Sequence, residues 1–169
     1  MRTLVSDLMA GLMGGLSWTC PEGCFVEVGV YQGGSARVLY SVSERQGRKL
    51  FLYDTFSGMP FKGEFDTHDI GMFSDCSAQE IQSMYPNAVV CAGVFPGSII
   101  DMPSVAFVHA DADQYQTTKD IVSHLGPRMV KGGMMLFDDY YCVPSCIMAV
   151  DEMCPVKEIL PDGRALVRW

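Results

Sequence analysis

Residues 24–36 read Cys24-Phe25-Val26-Glu27-Val28-Gly29-Val30-Tyr31-Gln32-Gly33-Gly34-Ser35-Ala36, and this stretch decides the fold. Cys24 to Val28 is a short apolar run that reads as a buried strand. Glycines at 29, 33 and 34 permit a tight turn and bring backbone close to a ligand. Ser35 to Gln46 then reads as a helix, whose first turn offers free N–H groups. A strand that turns through glycines into a helix is the repeating unit of an α/β sheet. The spacing is not G-x-G-x-x-G, so a dinucleotide pyrophosphate is not indicated. Glu27, two residues before the first glycine, suits a ligand with an ammonium group or hydroxyls better than a phosphate.

The pattern continues outward from that unit. Leu50 to Tyr53, Ala88 to Ala92, Val105 to Ala110 and Met134 to Phe137 read as further strands. Ser77 opens a helix with capping-box spacing to Glu80. Tyr115 to Leu125 and Val143 to Met153 read as helices, and residues 55 to 76 as a long loop. Val156 to Leu160 and Ala165 to Arg168 flank Pro161-Asp162-Gly163, a turn signal for a closing hairpin. Strands alternating with helices predict a mostly parallel sheet covered on both faces. Ligands of such sheets bind beyond the carboxyl ends of the strands.

Acids stand at those ends. Asp54 ends the second strand, 20 residues after Gly34, the spacing of an acid that accepts from ribose hydroxyls. Asp111-Ala112-Asp113 ends the fourth strand and Asp138-Asp139 the fifth. Four carboxylates converging at neighbouring strand ends call for a cation. With oxygen donors alone, Mg²⁺, Mn²⁺ or Ca²⁺ is favoured over zinc. Each acid is also a reasonable cap for the turn or helix that follows it. His109, flanked by Val108 and Ala110, reads as a satisfied core histidine. His68 and His124 have no evident partners.

Composition narrows the class. The chain has 169 residues, of which 49% are hydrophobic and 19% charged, as expected of one globular domain spanning 1–169. Twelve basic residues against 20 acidic ones give a net charge of −8. That balance argues against a nucleic acid or an anionic membrane surface as partner. No run of about 20 apolar residues is present to span a membrane. Leu4, Leu8, Leu12 and Leu16 recur at helical spacing, and residues 1–23 read as an amphipathic helix and lead-in. Asp7 and the lack of a cleavage motif argue against a signal peptide. Seven cysteines, an odd number, read as reduced thiols of a cytoplasmic protein. Cys24 and the pair Cys142 and Cys146 fall at opposite ends of strands, about 17 Å apart, so a shared zinc site is not expected.

Four segments together resemble the macrocin-type (TylF-like) O-methyltransferases. They are Phe25 to Ala36; Leu52-Tyr53-Asp54-Thr55-Phe56-Ser57-Gly58-Met59-Pro60; Asp111-Ala112-Asp113-Gln114-Tyr115-Gln116-Thr117-Thr118; and Lys131-Gly132-Gly133 through Asp138-Asp139-Tyr140. The resemblance implies a Rossmann-like class I methyltransferase sandwich, with a seven-stranded sheet whose last strand is antiparallel. It implies S-adenosylmethionine as cofactor, with Glu27, Gly29, Tyr31, Gly33 and Ser35 at its methionine end. Asp54, with Thr55 beside it, would hold the ribose, and Gly93 and Val94 would lie by the adenine. Asp111, Asp138 and Asp139 would bind Mg²⁺, and Asp113 would be the general base. The acceptor would be a small-molecule hydroxyl, typically on a sugar of a natural product. Its cover is expected from the first helix, from Phe61 to Cys76, or from another subunit of a homodimer.

Two other classes remain open on the residues alone. Asp111-Ala112-Asp113 also matches the D-x-D of metal-dependent, nucleotide-sugar glycosyltransferases. A non-catalytic cofactor-binding module is the second.

Overall fold

The computed structural model describes residues 5–169. Helix α1 (Asp7–Thr19) leads into β1 (Cys24–Val28), followed by α2 (Ala36–Gln46), β2 (Leu50–Asp54), α3 (Ala78–Met84) and β3 (Val89–Ala92). Then come β4 (Val105–Ala110), α4 (Tyr115–Leu125), β5 (Met129–Phe137), α5 (Pro144–Met153), β6 (Glu158–Ile159) and β7 (Ala165–Arg168). The strands form one seven-stranded sheet in the order β3-β2-β1-β4-β5-β7-β6. β7 runs antiparallel to both its neighbours and the other pairings are parallel. This is the class I methyltransferase architecture.

Strand periodicity builds two cores. Val26, Val28, Phe51, Tyr53 and Val108 face α4 and α5, where they meet Ile121, Leu125 and Val150. Phe25, Leu50, Leu52, Phe107 and Leu136 face α1, α2 and α3, where they meet Met13, Leu39 and Ile81. Both faces of β1 and β4 are therefore buried, which accounts for their continuous apolar runs. The alternation also places Glu27 and His109 on the α1 side, in register with each other. Strand order reverses between β1 and β4, so the crevice of the fold opens above those two ends.

Three elements differ from expectation. β5 begins at Met129, five residues before the predicted Met134, because Gly132 and Gly133 bond across to Trp169 and stay in the sheet. β6 shrinks to two exposed residues, since Val156 is 84% exposed and pairs with nothing in the sheet. α1 is not amphipathic in the expected sense: Met13 and Ser17 are buried, while Leu8 and Trp18 are half exposed. Leu4, predicted to begin that helix, lies outside the described residues. No helix among the described residues is long and apolar enough to cross a membrane.

Candidate active site

The crevice begins at Gly29. Its φ is 92°, and a Cβ there would stand 1.7 Å from the Asp111 carbonyl oxygen. Only glycine lets the end of β1 lie so close to the end of β4. The Asp111 N–H donates to the Val28 carbonyl at 2.8 Å, closing the corner. Gly33, with φ 80°, is packed under Tyr85, whose hydroxyl donates to the Gly33 carbonyl at 2.7 Å.

Asp54 organises this turn. One carboxylate oxygen accepts the N–H groups of Val30 and Tyr31, each at 2.8 Å. The other accepts the Phe56 N–H at 2.8 Å. Tyr31 is held in the left-handed region at φ 47°, a conformation that costs energy outside glycine. The carboxylate thus fixes both the glycine turn and the start of the long loop.

A cavity of about 220 Å³ sits on that corner. Gly29, Tyr31, Ser35, Asp54, Thr55, Gly93 and Val94 line it together with Asp111 and Asp113. Glu27 and Gly33 are not on its wall, and neither are Asp138 and Asp139. Glu27 is fully buried: one oxygen meets His109 Nδ1 at 2.9 Å, and the other has no hydrogen-bond partner among the described residues.

The acids form two overlapping groups. Asp111, Asp113 and Asp139 each offer an oxygen within 4.8 Å of the others, and a ring nitrogen of His109 with oxygens of Asp111 and Asp138 makes a second such set. Burial pushes the Asp111 carboxyl well above its ordinary range, and the neighbouring Asp138, Asp139 and Asp113 add to this. Asp139 is raised well above its range by burial and by Asp113 and Asp138. Asp113 is pushed up, chiefly by burial, to about 6. Asp138 behaves oppositely. Burial works to raise it, but bonds from His109 and Arg164 outweigh that and hold it below the usual carboxylate range. Burial likewise opposes charge on His109, yet its bonds to Asp138 and Glu27 raise it to about 9. The histidine is therefore charged at neutral pH and donates from both nitrogens.

Crowded, reluctantly ionised carboxylates with hard oxygen donors fit a divalent cation such as Mg²⁺, Mn²⁺ or Ca²⁺. Asp111 belongs to both groups and Asp113 joins Asp139 rather than Asp138. Asp113 itself sits at φ 58°, its N–H donating to Asp139 at 3.3 Å.

Residues 55–76 fold across the crevice as a strap. Met59, Pro60, Met72 and Phe73 complete the cavity wall. Asp66 pins the strap: its carboxylate accepts the Tyr115 N–H at the start of α4 and the Gly63 N–H, both at 2.8 Å. The Gln114 amide donates to the Phe61 carbonyl at 2.6 Å. His68, expected to lack partners, stands 3.5 Å from the Asp113 carboxylate. Sequence reasoning missed Asp66, His68 and Arg164 because their partners lie far along the chain. Arg164 lies just before β7, outside the strand's own alternation.

The family described as macrocin-O-methyltransferase (TylF) matches residues 19–162. Mycinamicin III 3''-O-methyltransferase of Micromonospora griseorubida is 29% identical over an alignment of 152 positions that covers 77% of this chain and 59% of that protein. The chain spans 57% to 59% of the length of the curated relatives it matches. Among solved structures, that of the O-methyltransferase NovP superposes with a TM-score of 0.84 at 21% identity, covering 98% of this chain and 81% of that one. The structure of Podospora anserina methyltransferase PaMTH1 with bound SAH gives a TM-score of 0.67 at 14% identity, covering 98% and 80%.

Proposed function

The chain belongs to the macrocin-O-methyltransferase (TylF) family, and from that premise we propose that it transfers a methyl group from S-adenosylmethionine to a small-molecule hydroxyl. The acceptor class is a sugar of a natural product, and the assisting ion is Mg²⁺ or a similar divalent cation. The observation that carries this reading is one cavity lined by both the glycine turn and the acids Asp111 and Asp113.

The chain's own groups divide the work. Gly29, Tyr31 and Ser35 shape the space for the methionine end of the cofactor. The unpartnered oxygen of Glu27 behind them favours a ligand that brings a donor, as an ammonium group does. Asp54, Thr55, Gly93 and Val94 line the space for the nucleoside. Asp111, Asp138 and Asp139 would hold the cation; Asp111 is close to Asp139 and Asp113 in one group and to Asp138 in the other. The cofactor supplies a methyl group made electrophilic by its sulfonium charge, and a cation supplies Lewis acidity that eases deprotonation of a hydroxyl. Asp113 takes up the acceptor proton. The strap excludes water from the cavity and, with the corner at Gly29, holds the reacting groups in line. The family match removes the basis for a glycosyltransferase reading of Asp111-Ala112-Asp113. The odd cysteine count supports a cytoplasmic location, and exposed Leu8 and Trp18 support a homodimer.

Calorimetry with S-adenosylmethionine or its demethylated product, then mass spectrometry of a glycoside panel with Mg²⁺, tests the proposal. Binding followed by a 14-dalton gain on an acceptor is expected. Folded protein that binds neither cofactor form would end the methyltransferase reading. Binding with no transfer to any acceptor would leave the non-catalytic module.

Asp54→Ala removes the acceptor of three backbone N–H groups. Each such loss costs about 1–3 kcal/mol when the donor stays buried. Cofactor affinity is therefore expected to fall at least ~10-fold, measured by the same calorimetry. An unchanged affinity in a folded variant would free the turn from Asp54.

A further inference from the structure

The largest fully buried side chain in the structure is a charged one, Arg164, with 0% exposure. Removing a guanidinium from water is costly unless its donors are all used. Arg164 uses them in three directions. Nε and Nη2 grip Asp162 Oδ2 at 2.8 and 2.7 Å. Nη2 also donates to the Met9 carbonyl of α1 at 2.8 Å. Nη1 donates to Asp138 Oδ1 at 3.2 Å.

Asp162 alone neutralises the guanidinium, and it does so at the turn immediately before β7. The contact with Asp138 is therefore surplus to charge balance and directional in effect. His109 Nε2 reaches the same Asp138 oxygen, also at 3.2 Å. Two donors, one on β4 and one in the turn before β7, thus converge on the same oxygen of that carboxylate. Asp138 lies in one oxygen-and-nitrogen group with Asp111, the residue shared by both acidic sets. A bond to one oxygen that aims the other is how supporting residues commonly orient metal-binding carboxylates.

We propose that Arg164 is a positioning residue, anchored by Asp162 and the Met9 carbonyl, that aims the Asp138 carboxylate at a divalent cation held with Asp111. The inference rests on the ion-assisted reading above. It adds β7 and α1, neither of which carries a site residue in that reading, to the support of the ion.

Arg164→Lys tests it. Lysine keeps the positive charge, so any change in ion affinity reports geometry rather than a lost repulsion. It lacks the fork that reaches Asp162, Met9 and Asp138 together. Titration calorimetry of the full chain with Mg²⁺ alone is the readout, with the demethylated cofactor titrated separately. Mg²⁺ affinity is expected to fall at least ~10-fold in Arg164→Lys, and cofactor affinity to stay within about threefold. Asp162→Asn, which loosens the fork and leaves Arg164 in place, is expected to weaken Mg²⁺ in the same direction by a smaller factor, and it serves alone if Arg164→Lys does not fold. Arg168→Lys, at an exposed position at the end of β7, is expected to change neither. A folded Arg164→Lys or Asp162→Asn that binds Mg²⁺ within twofold of the parent would reduce Arg164 to a strut between β7 and α1. A parent chain that binds the cofactor and no Mg²⁺ would instead overturn the ion reading and this inference with it.

Discussion

Asp113→Asn is expected to lower kcat by about 10²–10⁴-fold, the range typical for loss of a general base. The choice of asparagine matters. Asp113 sits at φ 58°, in the left-handed region, which asparagine tolerates and alanine does not. The substitution therefore removes the carboxylate charge and leaves the backbone unstrained. Cofactor affinity is expected to remain close to that of the parent, because the cofactor side of the cavity is lined by other residues. The pH profile supplies a second check. Burial raises the Asp113 carboxyl to about 6, and only the ionised form accepts a proton. At low Mg²⁺, parent activity should fall as pH drops through about 6, and excess Mg²⁺ should shift that fall to lower pH by favouring ionised carboxylates. A variant that retains kcat within threefold would remove Asp113 from proton transfer.

Asp111→Asn is expected to abolish Mg²⁺-dependent transfer while raising the stability of the ion-free protein. Losing a supporting partner costs about 10–100-fold in metal affinity, so losing a direct ligand should cost more than about 100-fold. The stability gain follows from linkage. Burial and four neighbouring carboxylates push the folded-state pKa of Asp111 well above its unfolded value. The folded state then holds a proton that the unfolded state releases, so this group's contribution falls as pH rises from the unfolded pKa toward the folded one. The ion-free parent bears a cost that grows as pH rises above the unfolded pKa, and asparagine removes it. In the parent, Mg²⁺ at 100 times its dissociation constant should add about 2.7 kcal/mol. Scanning calorimetry with chelator and with Mg²⁺ reads both effects. The variant should unfold at a higher temperature than the parent in chelator and gain nothing from Mg²⁺. If both proteins gain equally, the ion binds elsewhere.

What the sequence made legible was local. Strands β1, β2 and β4 are short apolar runs buried on both faces, so their ends, and the acids standing there, could be read directly. Gly29 marked its own corner, since a glycine at a strand end needs a reason. Asp54 was found at its place, but its bonds to the Val30, Tyr31 and Phe56 N–H groups depend on how the turn folds back. His109 was read correctly as buried and satisfied. Its partners are carboxylates 82 and 29 positions away, a distance along the chain that no periodicity encodes. The same holds for Asp66, which reaches the start of α4 across 49 positions. The fifth strand was expected to begin at Met134, and tertiary pairing of Gly132 and Gly133 with Trp169 extends β5 back before it. Val156 looked like strand, and nothing packs on it to make it one.

The corner at Gly29 has a consequence for the history of such a chain. A methyl group at position 29 would collide with the peptide of Asp111. The glycine turn and the end of β4 thus share a contact with no slack. Neither half can drift alone: a substitution accepted for one partner is tested at once by the other. New acceptors are therefore more readily explored through the strap, where Met59, Met72 and Phe73 can change size without moving that joint.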